Sequence, residues 1–230
     1  MKRLGVVLVL VVCLALVLWT CAPGAMAAKG KPHKARSTAT IVAPSATPHG
    51  LSYAEWSMRW WEWMLGQPAS SCPNFDLTGE SYPWGQDLSG HVLLLPGSWG
   101  GPATRSLTIP KGTMLFVPLI NTAYVLFPGD PVDWSYVTGF MATVTEVTLT
   151  VDRRHFDLRR PAFQVGLQAP FDIWFPVDNL IGQPPGYYTC GEDGYYAMLA
   201  PLSCGSHHVV VHGATADGFS VDLTFDITVE

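Results

Sequence analysis

Apolar positions recur with two different periods along this chain, and the change of period divides it. In LSYAEWSMRWWEWMLGQ, Leu51 to Gln67, large apolar residues return every three or four positions at Tyr53, Trp56, Trp60, Trp63 and Met64. That spacing predicts one apolar stripe of an α-helix, with Trp61 and Leu65 on its flank. Ser52 and Glu55 form an S-x-x-E capping box, Gly66 suits a left-handed residue after the last turn, and Pro68 blocks continuation. The helix is therefore expected over 52–66. Glu55, Arg59 and Glu62 stand at (i, i+4) and (i, i+3) spacing on its polar side. The tryptophans are expected chiefly as core, with Trp61 the one left most exposed and so a candidate ligand contact.

From His91 onward the period falls to two. TEVTLTV places Val147, Leu149 and Val151 on one side and Glu146, Thr148 and Thr150 on the other. FSVDLTFDITVE does the same, with Val221, Leu223, Phe225, Ile227 and Val229 on its apolar side. HVLLLP and TRSLTI around Ser98-Trp99-Gly100-Gly101 read as a hairpin. TMLFVPLIN reads as a buried strand with a bulge or edge at Pro118. His155–Leu158, Pro170–Pro176, GYYAMLAPL and HHVVVHG complete eight or nine short strands. Asp133–Met141 reads as a second helix, and Pro68–Gly90 and Asp178–Gly194 as long loops. The expected fold is mainly β: an antiparallel β-sandwich, immunoglobulin-like or jelly-roll-like, with one N-terminal amphipathic Trp-rich helix.

The first 50 residues do not belong to that pattern. Residues 1–27 read as a secretory signal, with Lys2 and Arg3, an apolar run from Leu4 to Leu18, and Ala25-Met26-Ala27 as the cleavage pattern. Residues 28–50 read as a basic, Pro/Ser/Thr-rich disordered leader, and 51–230 as a single domain. Thr38–Val42 could add to a sheet edge. The chain has 13 basic and 18 acidic residues. Four of the bases, Lys29, Lys31, Lys34 and Arg36, crowd the leader, so the domain behind it is acidic. This argues against nucleic acid as a partner. A membrane is expected only through an uncleaved signal or a lipid on Cys21, both ranked below ordinary cleavage. The implied location is secreted, extracellular or in the cell envelope.

Candidate chemistry is sparse. Cys72, Cys190 and Cys204 remain after cleavage; Cys190–Cys204 is the favoured disulfide, with Cys72 bonded to either of them as the alternative. On a strand His208 and His212 share a face, about 13 Å apart at ~3.3 Å per residue, with His207 opposite. They cannot chelate one ion, so neither a metal nor a cofactor is expected. Asp76, Asp130, Asp133, Asp172 and Asp178 are spread through loops and strand ends, where Asx turns and caps account for most of them. No nucleophile motif is present. Arg59, Glu62, Asp76, Gln86, Arg105 and Asn121 are expected to form a structural polar network tying the helix and long loop to the strands. Trp61, Tyr124, Trp134, Trp174, Tyr187 and Tyr188 are the candidate ligand-contact aromatics.

Two resemblances add to this. Leu199-Ala200-Pro201-Leu202, Gly205-Ser206-His207, Val209-Val210-Val211, Asp217-Gly218 and the last strand resemble the closing strands of bacterial immunoglobulin-like domains. The order Trp60-Trp61-Glu62-Trp63, Asp76-Leu77-Thr78-Gly79, Gly85-Gln86, Gly100-Gly101, Arg105, Pro110-Lys111-Gly112, Phe116–Asn121 and Met198–Leu202 is similar to an uncharacterised family of exported bacterial proteins with a Trp-rich N-terminal helix. That family's pattern carries cysteines near Tyr82 and Leu107, absent here, which fits the loss of one disulfide. It transfers no activity. The leading expectation is a non-enzymatic exported protein that binds a carbohydrate or a cell-surface protein, or is structural. The alternative is an extracellular hydrolase acting on glycan or ester with its carboxylates in the long loops.

Overall fold

The computed structural model describes residues 39–79, 85–86 and 90–230. The predicted signal and the leader up to Thr38 lie outside the described residues, as does the side chain of Gln86.

The Trp-rich segment is helix α1, Tyr53–Leu65. Its capping box is complete: Ser52 Oγ accepts from Glu55 N, and Ser52 N donates to Glu55 Oε2 at 2.7 Å. Gly66 ends it at φ −76°, in right-handed rather than the expected left-handed geometry. The second helix, α2, is Ser135–Ala142, entered through Asp133, whose Oδ1 accepts from Ser135 N.

Ten strands form among the described residues: β1 Gly85–Gln86, β2 Val92–Leu94, β3 Gly101–Ile109, β4 Met114–Val125, β5 Val144–Val151, β6 Arg154–Asp157, β7 Phe171–Phe175, β8 Gly186–Leu199, β9 Gly205–Thr215 and β10 Ser220–Val229. They make two five-stranded sheets. Sheet one has the order β1-β2-β4-β8-β7, and sheet two β3-β10-β9-β5-β6. Both are mixed: β2 runs parallel to β4, and β3 parallel to β10. This corrects the antiparallel expectation and also the HVLLLP–TRSLTI hairpin. Leu95–Gly100 is a crossing between sheets, so the apolar runs on either side of the Gly-Gly turn pair with different partners. Pro118 sits at a register shift in the β4–β8 ladder, where a missing N–H costs nothing.

Sheet one is covered on both faces except at the β7–β8 end, where Trp174 and Tyr187 stand exposed. Its inner face and that of sheet two share one apolar core, including Leu115, Val117, Tyr195, Ala197, Leu223 and Phe225. Its outer face packs beneath α1 through Phe116, Ile173, Phe175, Tyr196 and Met198. From Cys190 onward burial on both faces removes polar alternation from β8, and the strand begins at Gly186, inside a stretch expected to be loop. Ala39–Val42 is not disordered. Ile41 bridges Leu199, Val42 N donates to Met198 O, and Ala200 N donates to Thr40 O.

The Cys190–Cys204 disulfide is not formed; Cys72, Cys190 and Cys204 are all free thiols. Cys190 lies near the start of β8 and Cys204 beyond its end, so roughly 30 Å of extended strand, at ~3.3 Å per residue, separates them. Closeness in sequence brought no closeness in space.

Candidate functional site

Strand pairing brings three of the six candidate aromatics to one face of sheet one, and a fourth, Trp134 at the start of α2, lies on it. Trp174 of β7 lies directly opposite Tyr187 of β8, and Tyr124 of β4 opposite Gly191 of β8. Opposed residues share a face, and so do alternate residues of one strand. Tyr187, Thr189 and Gly191 therefore point the same way as Trp174, Asp172 and Tyr124. Gly191 has no side chain because the Trp134 ring lies on it; a Cβ there would come within 2.5 Å of that ring.

This is the side of β8 that further along carries Tyr195 and Ala197 into the shared core. Here Trp174 is 50% and Tyr187 72% exposed. Their rings meet edge to face at 5.1 Å. Tyr124 packs edge to face on Trp134 at 6.3 Å and against Tyr136 at 6.1 Å. The two aromatic groups are about 13 Å apart along β8, four residues at ~3.3 Å. Between them Thr189 Oγ1 donates to Asp172 Oδ1 at 2.8 Å. Flat apolar rings with a polar pair between them suit a ligand that alternates apolar faces with hydroxyls.

The other two aromatics are not on this surface. Tyr188 points to the opposite side, buried against Phe175 and Phe127 with its hydroxyl on Pro184 O. Trp61, expected to be the exposed tryptophan, is buried, and Trp63 is the one left partly open. The reason is polar. Trp61 Nε1 donates to Glu192 Oε2 and Tyr196 Oη, at 3.2 and 3.0 Å.

Glu192 is the residue that sequence reasoning missed. It is 1% exposed under α1. Ser57 Oγ lies 2.6 Å from its Oε1, Tyr196 Oη donates to its Oε2 at 3.0 Å, and Asn121 Nδ2 donates to Tyr196 Oη at 3.2 Å. Burial pushes its carboxyl up to about 7, and the nearby Asp193 charge adds to this against the hydrogen bonds. Asp193, on the other face of β8, accepts from Gln164 Nε2 and Gly166 N. In sequence the signal was slight: Ser57 interrupts an otherwise apolar flank of the helix.

The expected polar network is thus split. Asn121 joins Glu192 on the α1 side. Arg105 is fully buried, on the side of the long loop. Its Nε donates to Asp76 O at 2.8 Å, its Nη2 to Gly97 O at 2.8 Å and Pro73 O at 3.4 Å, and its guanidinium lies 5.8 Å from the Phe225 ring centre. The Asp76 carboxylate accepts from Thr78 and Gly79 N–H groups in an Asx turn. Arg59 lies over the Trp56 ring at 5.5 Å and Glu62 is exposed, so neither reaches the sheets.

Of the remaining carboxylates, Asp130 serves its own turn and Asp178 ties its loop to Ser70, 108 residues earlier. Asp130 accepts from Phe127 N, and Asp178 from Ser70 N and Oγ. Asp152, His207 and Ser203 line up in the sense of a nucleophile triad but with the wrong hydrogen bonds. His207 Nδ1 is 3.0 Å from Asp152 Oδ2, and its Nε2 is 2.8 Å from the Ser203 carbonyl. Both ring nitrogens face acceptors, so neither is placed to take a proton from the Ser203 hydroxyl, 3.4 Å away. His208 and His212 pair across strands with Asp226 and Asp222, each at 2.7 Å. No group of three or more His, Cys, Asp or Glu arranged to hold a metal occurs among the described residues. Comparison with family models, curated proteins and solved structures finds no match to this chain.

Proposed function

We propose that this chain is an exported, non-enzymatic binding module in which the two sheets act as a β-sandwich scaffold. Its ligand is an extended glycan, taken on the face formed by Tyr124, Trp134, Trp174 and Tyr187. The observation that carries the reading is the placement of two aromatic groups on one sheet face with the Thr189–Asp172 pair between them. A pyranose presents a C–H face to a ring and hydroxyls to its sides. Such recognition needs an aromatic surface and a few polar groups, not convergent titratable ones. The predicted signal sequence supports an exported location. Nothing in the face calls for a metal or a cofactor.

The test is a glycan array and a cell-surface pull-down with a chain lacking residues 1–27. Trp174→Ala with Tyr187→Ala should weaken glycan binding about thirtyfold, on the order of the ~2 kcal/mol of a buried aromatic anchor. Thermal stability should be nearly unchanged, since both rings stand outside the core. Capture of a protein with no glycan would replace the ligand class. Binding that survives loss of both rings would remove the site.

A further inference from the structure

The hydrogen bonds beneath α1 contain a proton count. Ser57 Oγ has one hydrogen and two acceptors in reach: Ala54 O at 2.8 Å and Glu192 Oε1 at 2.6 Å. If Glu192 is ionised, the hydroxyl can serve only one of them. If Glu192 is protonated, Oε1–H donates to Ser57 Oγ, Ser57 donates to Ala54 O, and both are satisfied. On the other oxygen, Tyr196 Oη donates to Oε2 in either state, and the single Trp61 N–H is shared between Oε2 and Tyr196 Oη. Tyr196 Oη in turn accepts from Asn121 Nδ2 and Trp61 Nε1. The neutral acid leaves every group in this network with a partner.

No compensating cation is present in it. From α1 the carboxyl meets Ser57 and Trp61, from β4 Asn121 acting through Tyr196, and from β8 Tyr196 together with its neighbours Cys190 and Asp193. These side chains are neutral or acidic. The salt bridges seen among the described residues all involve histidines elsewhere. A buried carboxylate with no cation carries a large desolvation cost, which the neutral acid avoids.

We propose that Glu192 is held as a neutral carboxylic acid clamping α1 onto sheet one, and that its ionisation loosens this clamp. The direction of the pH effect follows from which state binds the proton more tightly. Folded Glu192 keeps its proton up to about 7, against an ordinary value of 4.5. Its contribution to stability is therefore complete below the ordinary value and is lost as the pH rises to about 7. Burial also shifts Tyr196 and Cys190 up, so both stay neutral beside Glu192, and the Asp193 charge disfavours a second negative charge next to it.

The experiment compares the chain with its Glu192→Gln variant in denaturant unfolding from pH 5 to 8. Glutamine reproduces the neutral acid, with Nε2 donating to Ser57 and Oε1 accepting from Trp61 and Tyr196. The folding constant of the parent should fall relative to the variant by on the order of a hundredfold across this range, at about tenfold per unit of separation in pKa. Effects of groups outside this network are common to both chains and cancel. Protection of the α1 amides, taken relative to the intrinsic base-catalysed exchange rate at each pH, should fall with pH in the parent and not in the variant. Parallel stability curves would overturn the proposal. If Glu192→Gln does not fold, infrared spectroscopy of the parent decides. A protonated-carboxyl band at pH 6 that is lost towards pH 8, and shifted by Ser57→Ala, supports the clamp. Absence of that band at pH 6, or indifference to Ser57→Ala, overturns it.

Discussion

At Arg105 the alternation of β3 turns a guanidinium inward, between Ala103 and Leu107. The side chain is held there by three backbone carbonyls from residues that join α1 to sheet one or cross between the sheets. A carbonyl left buried without a donor costs roughly 1–3 kcal/mol. Arg105→Met keeps much of the volume but satisfies none of the three. The variant should lose at least about 3 kcal/mol, read as a lower midpoint in denaturant; an unchanged midpoint would mean that water replaces the guanidinium. Gly191 and Gly194 show the same economy from the opposite side. A Cβ at Gly194 would stand 2.4 Å from Asn121 Cβ, so the strand holding Glu192 and Asp193 can close on β4 only where a side chain is missing.

Among the elements, α1 was the most readable in the sequence and shows where reading stopped. Its capping box and three-and-four spacing are local properties, fixed by residues within one turn of each other. The energetic centre is Trp60, which is fully buried, donates Nε1 to Leu95 O at 2.7 Å, and packs edge to face on Trp61 and Tyr196. Trp60→Ala should cost roughly 3–5 kcal/mol in denaturant unfolding. A loss under ~1 kcal/mol would show that the helix is not core but a free surface. Strands β5 and β10 were equally legible because each has one wet face. Strand β8 was not, because a helix covers one side and a sheet the other, and Gly191-Glu192-Asp193-Gly194 in its middle imitates a turn. The candidate site suffered for the same reason. Trp174 and Tyr187 become neighbours only through the β7–β8 register, which depends on where β8 begins. The rotation that buries Trp61 instead of Trp63 is set by Glu192, more than a hundred residues away. Parallel pairing of β3 with β10 and of β2 with β4 left no mark at all, since the direction of a partner strand does not alter alternation.

For the whole molecule, α1 packs on sheet one, the two sheets share one apolar core, and the segment 39–42 fastens these parts together at one corner. Val42 N donates to Met198 O and Ala200 N to Thr40 O, which extends sheet one beside the end of β8. Tyr53 Oη of α1 donates to Val42 O at 2.7 Å and accepts from Met198 N at 2.9 Å. Burial of the Tyr53 phenol pushes its pKa up to about 12, so it keeps that donor proton through the neutral range. On the other side, Arg154 at the β5–β6 turn of sheet two donates to Ala39 O at 2.7 Å. One short segment thus bonds to α1, sheet one and sheet two. Compared with a chain beginning at Thr38, one beginning at Ala43 loses all four bonds together with buried Ala39. At roughly 0.5–1.5 kcal/mol net for each bond, the shorter chain should be about 3 kcal/mol less stable. Its α1 amides should also exchange faster, because Tyr53 loses its acceptor. Equal stability of the two truncated chains would show that these parts hold without this fastening, and that the core between the sheets alone sets the cooperativity of the fold.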